Sequence, residues 1–329
     1  MKTSYQWQGI KVVVGMVALC GFAISAQSTV LIDETFDTGY NRTVNNIGTT
    51  GTGNMAVYKS RNADTAVVTL GPGGSGSLSF SISANSGADA YRAYFTDVGA
   101  NILNVGDASQ VLNGHLLLGM GDTLISSVTF YYGTVPSDTS TAAIRFGLFD
   151  DVAGRSANDL NGGASTTMFT NNPGYGAFVT LMSVSTNNGM NFMRRTNMTT
   201  TGIFGTTADF TQIDGAVGGT SIAQSGLQLL TYKVSVTHMD ANTTILTAGL
   251  YDTLTSQLLE GGSVADFSGQ QVSDFSYLVW RTPRGPDAAG NGPYVFTDMK
   301  IEVIPEPSTL MLTGAGLALA IAAIRRRRS

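Results

Sequence analysis

The sequence predicts an all-β protein: an antiparallel β-sandwich, jelly-roll-like, with an N-terminal signal peptide and a C-terminal transmembrane helix. Three observations predict this class. Only 12% of the 329 residues are charged while Gly accounts for 40 residues, so this is not the composition of a helical protein rich in Glu and Lys. Short runs of alternating apolar and polar residues recur between turn residues. Uncharged apolar stretches lie close to both ends of the chain.

The N-terminal stretch has the three parts of a secretory signal. Lys2 and Lys11 precede an uncharged run over residues 12–24, and small residues follow it up to Ala26. The run is too short to cross a hydrocarbon layer of about 30 Å as a helix that rises about 1.5 Å per residue. We therefore expect residues 1–26 to be a signal peptide that signal peptidase removes.

The chain contains one cysteine, Cys20, and it lies inside that apolar run. Its lipidation would make the protein a lipoprotein, but the bulky Leu19 directly before it disfavours this alternative. The mature chain then has no cysteine and no disulfide. A body of about 280 residues is large enough to be stabilised by its own hydrophobic core.

The body, residues 27–304, is predicted to be one β-sandwich domain. In residues 77–82, Leu78, Phe80 and Ile82 alternate with serines, which places apolar side chains on one face of a strand and polar ones on the other. Comparable runs occur at residues 29–36, 76–84, 123–132, 142–149, 176–184, 229–237, 243–251, 275–281 and 294–303. The pattern resembles the concanavalin-type and carbohydrate-binding jelly rolls, although no diagnostic motif accompanies it. We expect the first and last strands to pair or to be neighbours.

The C-terminal segment, residues 305–329, has the features of a second membrane signal. Pro305, Glu306 and Pro307 precede an uncharged stretch over residues 308–324, and Arg325, Arg326, Arg327 and Arg328 follow it. Seventeen residues span about 26 Å as a helix, just enough to cross a membrane when the arginine stems extend to the interface. By the positive-inside rule the arginines lie on the cytoplasmic side, so the body is predicted to be outside. A plain tail anchor would share these features.

The order of these three parts resembles the PEP-CTERM sorting signal, which exosortases recognise in bacteria that make extracellular polysaccharide. The resemblance implies that Pro305, Glu306 and Pro307 are the recognition motif and that an exosortase-like membrane peptidase is a partner. It also implies that the tail anchors the protein in the inner membrane before processing, after which the body reaches the cell envelope or extracellular matrix. It implies nothing about what the body binds.

The charge of the body excludes one class of partner. Residues 27–304 contain 22 acidic and 12 basic residues, so the net charge is −10. No basic run is available to neutralise several phosphates together, and we therefore predict that the protein does not bind nucleic acid.

Candidate catalytic and metal-binding residues are few. Glu34, Glu260 and Glu302 are far apart in sequence, which disfavours a glycosidase built on a closely spaced glutamate pair but leaves an Asp-based site open. With two histidines and no mature cysteine there is no obvious zinc site. No cofactor is predicted, except that calcium could bind at loop carboxylates. The places to look are Asp150, Asp151 and Asp240, although none fits a calcium-loop template and turns favour Asp for backbone reasons.

A polysaccharide ligand would require aromatic rings beside polar groups. Tyr131, Tyr132 and Trp280 are the candidate ligand contacts. The residues around Trp280 are apolar on both faces of their predicted strand, so a core position for Trp280 is the preferred interpretation. The leading hypothesis is a noncatalytic envelope or matrix protein that binds polysaccharide. A secreted carbohydrate-active enzyme and a self-assembling surface protein are the alternatives.

Overall fold

The computed structural model of the chain describes the greater part of the body. Both targeting segments lie outside the described residues, apart from Pro305 and Glu306. The described residues are 28–34, 57–59, 68–70, 78–80, 90–95, 101–106, 108–132, 143–152, 169–180, 189–199, 209–213, 217–218, 228–281 and 294–306.

These residues form nineteen β-strands and no α-helix. The strands are β1 (Thr29–Glu34), β2 (Val57–Lys59), β3 (Val68–Leu70), β4 (Leu78–Phe80), β5 (Ala90–Tyr94), β6 (Gln110–Leu112), β7 (His115–Leu117), β8 (Thr123–Tyr132), β9 (Ala143–Phe149), β10 (Gly174–Thr180), β11 (Gly189–Arg195), β12 (Phe210–Gln212), β13 (Val217–Gly218), β14 (Leu230–Asp240), β15 (Thr243–Asp252), β16 (Leu258–Asp266), β17 (Asp274–Phe275), β18 (Tyr277–Arg281) and β19 (Tyr294–Ile304). Within this part of the chain, no helix is long and apolar enough to cross a membrane.

The strands form two large antiparallel sheets and one small one. Sheet I has the order β16-β15-β14-β8-β19-β4-β3, and β1 also pairs with β19. Sheet II has the order β12-β11-β10-β9-β18-β5-β2, and β13 also pairs with β11. Sheet III consists of β17, β7 and β6. This arrangement confirms the predicted all-β, antiparallel sandwich.

The two large sheets pack face to face through aromatic side chains. The Phe146 ring of sheet II stacks on the Tyr232 ring of sheet I at 4.6 Å between centroids, and the Tyr232 hydroxyl donates a 3.0 Å hydrogen bond to the Ala177 carbonyl. Trp280 of sheet II lies 5.4 Å from Phe296 of sheet I. Apolar residues of sheet III join the same core. Each fully buried Phe or Leu contributes about 1.5–3 kcal/mol, so this shared layer dominates the stability of the fold.

Alternation between core and surface is clearest in β14 of sheet I. In β14, Leu230, Tyr232, Val234 and Val236 are buried, while the residues between them are partly or fully exposed. The pattern in β19 changes phase at a bulge between Phe296 and Asp298. A bulge inserts one extra residue, which restores the inward direction for the apolar residues that follow it.

The first and last strands are antiparallel neighbours, as predicted. Thr29 of β1 pairs with Val303 of β19, and Ile304 pairs with Thr123 of β8. At this end β19 therefore has a neighbouring strand on each side. The start of β1, three residues after Ala26, and the end of β19, directly before Pro305, therefore lie beside each other at one end of sheet I.

Candidate functional site

The first two residues of the Pro-Glu-Pro motif are held against the body. Pro305 is buried, and the backbone amide of Glu306 donates a 3.1 Å hydrogen bond to Oδ1 of Asp122. Asp122 is 0% exposed. Its other oxygen, Oδ2, accepts hydrogen bonds from the Ala108 amide at 3.0 Å and the Ser109 hydroxyl at 2.6 Å. We call Asp122 and its neighbour Gly121 the motif seat.

The backbone of the motif seat is fixed by β14. The Gly121 amide donates to the His238 carbonyl at 2.6 Å, and the His238 amide donates to the Asp122 carbonyl at 3.2 Å. Gly121 has a φ of +85°, and a Cβ at this position would lie 2.8 Å from the Cβ of Glu306. Glycine is therefore required both by the backbone conformation and by the close approach of the motif.

A second feature is the outward face of sheet I, which is rich in hydroxyl groups. The Thr231 hydroxyl hydrogen-bonds those of Thr129 at 3.1 Å and Thr253 at 2.8 Å. Thr247 and Ser263 form a similar pair at 2.9 Å. These groups are partly or fully exposed, so the face offers donors and acceptors to a hydroxylated ligand.

The aromatic ring of Tyr251 covers a glycine on this face. A Cβ at Gly249 would lie 2.8–3.0 Å from the Tyr251 ring, which shows that the ring lies directly over Gly249. Gly249 pairs with Gly261 on one side and Lys233 on the other, and the Lys233 ammonium is 5.4 Å from the centroid of the Tyr251 ring. Neither glycine contributes a side chain here, and the Tyr251 ring lies over Gly249 while the Leu258 side chain lies close to Gly261. We call Tyr251, Lys233, Gly249 and Gly261 the tyrosine platform.

A third feature combines two carboxyl groups and an imidazole. Nδ1 of His115 lies 2.6 Å from Oδ1 of Asp150, which directly follows β9. Asp274, which pairs with Leu117, is close enough to interact with both groups. Burial raises the pKa of Asp274, and the charge of Asp150 raises it further. A carboxyl group with a raised pKa beside another carboxylate has the character of a general acid.

The neighbouring Asp151 belongs to a buried structural network on the other side of sheet II from the shared core. The Arg92 guanidinium lies 3.3 Å from Oδ2 of Asp151, and the Tyr94 hydroxyl donates to the same oxygen at 2.5 Å. Burial raises the pKa of Asp151, although the Tyr94 hydrogen bond and the Arg92 charge oppose this shift. The Arg92 guanidinium also lies over the Tyr94 and Phe169 rings.

Glu260 is a buried carboxyl group within the apolar interior. It is 4% exposed, and neither of its carboxyl oxygens has a hydrogen-bond partner among the described residues. Burial raises its pKa to about 7. Its charge in turn contributes to the raised pKa of Tyr232. Glu260 is therefore a pH-sensitive element of the core.

The C-terminal segment matches a known sorting motif. Residues 303–328 match the PEP-CTERM protein-sorting motif. This match confirms the resemblance found in the sequence and implies export with sorting at the cell envelope by an exosortase-type enzyme. Comparison of the chain with curated proteins gives no match.

The body resembles several solved β-sandwich structures at low sequence identity. An endo-1,3-beta-glucanase from Streptomyces sioyaensis is 12% identical, with 84% of this chain and 97% of that chain covered and a TM-score of 0.46. A protein of unknown function from Shewanella oneidensis is 12% identical, with 92% and 96% covered and a TM-score of 0.42. Arcelin-5, a lectin-like defense protein from Phaseolus vulgaris, is 11% identical, with 79% and 96% covered and a TM-score of 0.41. None of these likenesses identifies a ligand or an activity for this chain.

The predicted calcium ligands lie in different settings. Asp150 contacts His115, whereas Asp151 pairs with Arg92. Asp240 lies at the β14–β15 turn and accepts a 2.7 Å hydrogen bond from the Asn242 amide, as the turn explanation predicts. Among the residues that the structure describes, no group of three or more His, Cys, Asp or Glu side chains could hold a metal ion.

Two of the predicted aromatic ligand contacts, Tyr131 and Trp280, lie in different parts of the sandwich. Trp280 is 1% exposed and packs on Phe296 in the shared core, which favours the core interpretation. Tyr131 is half-buried on the outward face of sheet I, the face that carries the tyrosine platform. The side chain of Tyr132, Pro307 and the four arginines Arg325, Arg326, Arg327 and Arg328 lie outside what the structure describes.

Sequence reasoning missed Asp122 and Tyr251. The Gly-Asp pair at residues 121–122 directly before a strand is a common turn pattern, and its contact with residue 306 spans 184 positions. Tyr251 was recognised only as the end of an alternating run. Gly249 and Gly261 are visible in the sequence, but their pairing depends on strand register, so the sequence held no signal for the ring of Tyr251 above them.

Proposed function

We propose that this chain is a noncatalytic exported protein, sorted by an exosortase-type system to the cell envelope or extracellular matrix, where the body binds polysaccharide. In this proposal signal peptidase removes residues 1–26. The tail then anchors the protein in the inner membrane through residues 308–324, with the arginines on the cytoplasmic side. A membrane peptidase acts at the Pro-Glu-Pro motif and releases the body.

The observation that supports the sorting route is the continuity of the motif with the fold. The last strand, β19, leads directly into Pro305, and its neighbour β1 begins just after the predicted signal peptide. Removal of both ends would leave the β1–β19 pairing intact. The mature body can therefore keep its fold after both cleavages.

Intact-mass analysis of the protein from fractionated cells tests this route. We expect the mature species to lack residues 1–26 and the segment beyond the Pro-Glu-Pro motif, and to be found in the envelope or matrix fraction. Recovery of the full chain from the cytosol would contradict the proposal.

The tyrosine platform supports polysaccharide as the ligand. Apolar faces of sugar rings stack on aromatic rings, and the Tyr251 ring lies over Gly249 with the Lys233 ammonium 5.4 Å from its centroid. The hydroxyl groups of Thr231, Thr247 and Ser263 lie on the same face. An open face with aromatic rings and many hydroxyl groups suits an extended polymer better than a small enclosed ligand.

Affinity electrophoresis in gels that contain the extracellular polysaccharide purified from the producing bacterium tests the platform. We expect Tyr251→Ala to weaken retardation about two- to tenfold, because stacking contributes roughly 0.5–1.5 kcal/mol. Tyr251→Phe should retain binding. Phe267→Ala is the matched control, since Phe267 is a 72% exposed aromatic residue just beyond β16. Equal weakening by both alanine variants would refute the platform as the site.

The second candidate function is a secreted carbohydrate-active enzyme with an Asp-based site. The observation that favours it is the cluster of Asp150, His115 and Asp274, in which one carboxyl group has a raised pKa beside another. Turnover of glycans that disappears in Asp274→Asn and Asp150→Asn but persists in Asp240→Asn would establish this candidate over the first.

A further inference from the structure

We propose that the folded body shields its own sorting motif from the membrane peptidase, and that release of Pro305 and Glu306 from the motif seat limits the rate of processing. The inference rests on the proposed sorting route and concerns its regulation. Asp122 is a positioning residue in this scheme, because it contacts the motif and not the peptidase.

The Glu306 backbone amide already has a hydrogen-bond partner in the folded chain. Enzymes that bind an extended peptide use its backbone N–H and C=O groups as well as its side chains. In the seated chain the Glu306 amide donates to Asp122 Oδ1 at 3.1 Å. A peptidase that needs this amide must therefore compete with a buried carboxylate.

Pro305 is also inaccessible in the seated chain. The residue is buried, and it directly follows Ile304, which is paired in the ladder between β19 and β8. A peptidase cannot contact the Pro305 ring until the residues after the ladder leave the body. Of the two motif residues that the structure describes, only Glu306 is exposed to initial contact with a peptidase.

The motif seat is built independently of the tail. Oδ2 of Asp122 binds the Ala108 amide and the Ser109 hydroxyl, and the Gly121 amide is bound by the His238 carbonyl. These contacts remain when the motif leaves. Release is therefore a local step at two residues, which leaves the sheet and its core intact.

Gly121→Ala is the decisive variant, and Gly269→Ala is its matched control. Both glycines have positive φ, +85° and +72°, so alanine strains the backbone at both. At Gly121 the new Cβ would also collide with Glu306, whereas at Gly269 nothing lies within 4 Å. Comparison of the two variants therefore distinguishes displacement of the motif from a general loss of stability.

Two readouts are needed for each full-length variant. Hydrogen exchange of the Glu306 amide, measured on the chain in detergent micelles, reports whether the motif is seated. Pulse-chase analysis in the producing bacterium reports how fast the tail is lost. We expect Gly121→Ala to raise both rates about tenfold, and Gly269→Ala to change neither. Asp122→Ala removes the acceptor of the Glu306 amide without introducing a collision, and it should also raise both rates. It replaces Gly121→Ala in the test if that variant does not fold.

The outcomes distinguish the two proposals. If the Glu306 amide exchanges faster in Gly121→Ala or Asp122→Ala but the tail is lost at the wild-type rate or more slowly, the shielding inference is wrong and the sorting route stands. A protected amide in a folded Asp122→Ala chain would also overturn the inference. If the wild-type chain never loses its tail, the sorting route itself fails.

Discussion

The outward faces of the two large sheets differ in polarity and in exposure to solvent, although both sheets are antiparallel and share one core. The outward face of sheet I carries hydroxyl groups, Lys233 and the Lys300–Glu302 pair, and it is partly exposed. The corresponding face of sheet II carries a second apolar cluster that is buried. Its members are Tyr94, Phe149, Phe169, Phe178, Met193, Phe210, Tyr277 and Val279.

Two ion pairs, one on each face, show how this difference affects the free energy of unfolding. Lys300 and Glu302 lie 2.8 Å apart with side chains 36% and 18% exposed, whereas Arg92 and Asp151 lie 3.3 Å apart with side chains 0% and 2% exposed. Water screens the first pair, so its net contribution is small. Loss of one partner of the second pair leaves a charge in a medium that solvates it poorly. Burial, and not the distance between the charges, decides the effect of a substitution.

The largest expected effect is at the buried pair. Asp151→Ala removes the carboxylate from Arg92 and Tyr94, and we expect the free energy of unfolding to fall by about 3–5 kcal/mol. Urea denaturation measures it. Glu302→Gln on the outward face of sheet I is the control, with an expected loss below about 1 kcal/mol. Similar losses for the two variants would contradict the proposed difference between the faces.

The next largest effect is a pH-dependent change in the free energy of unfolding, caused by Glu260 in the core between the sheets. The unfolded chain releases the Glu260 proton near the ordinary pKa of 4.5, whereas the folded chain retains it up to about pH 7. The stabilisation associated with protonated Glu260 is therefore complete below pH 4.5 and lost as the pH rises to about 7. Over this window the loss is up to about 3 kcal/mol.

Glu260→Gln tests this assignment, because Gln cannot titrate. Urea denaturation between pH 4.5 and 8 should show that the difference in stability between the wild type and Glu260→Gln shrinks or reverses as the pH rises. A difference that stays constant across the window would show that Glu260 has an ordinary pKa in the folded protein.

A smaller effect is expected for the threonine hydroxyls of sheet I. Thr231→Val removes the hydroxyl that bonds Thr129 and Thr253 but keeps a β-branched side chain suited to a strand. Because these groups can bond water instead, we expect a loss of about 1 kcal/mol or less. Thermal unfolding measures it. A loss comparable to that of Asp151→Ala would mean that this face is covered in the folded protein.

The smallest effect is expected at the tyrosine platform. The Lys233 ammonium lies 5.4 Å from the Tyr251 ring centroid at a partly exposed site, where such contacts contribute about 0.5–1 kcal/mol. A double-mutant cycle with Lys233→Met and Tyr251→Leu should give a coupling energy in this range. A coupling of zero would show that the two side chains do not interact in solution.

Strands with an unbroken alternating or apolar run could be predicted from the sequence, and strands whose runs are interrupted by glycine or polar residues could not. Residues 123–132 and 294–303 were identified closely, because one face of each strand is buried and the other is not. Leu258–Asp266 was missed, since Gly261 and Gly262 interrupt its pattern and Glu260 occupies an inward position. Gly189–Arg195 was missed because Asn191, Arg194 and Arg195 interrupt its apolar residues, although the structure buries both of its faces.

The sequence by itself determined the all-β class and the sorting motif at the C-terminus, because both depend on local order along the chain: alternation in strands, and two prolines before an uncharged stretch and four arginines. The tertiary structure alone decided which residues come into contact at the motif seat and at the tyrosine platform. Asp122 reaches Glu306 across 184 positions, and Tyr251 covers Gly249, which pairs with Gly261 of the neighbouring strand. Such contacts depend on strand order and register, which are set by how two sheets bury a common core, and no local pattern records that choice.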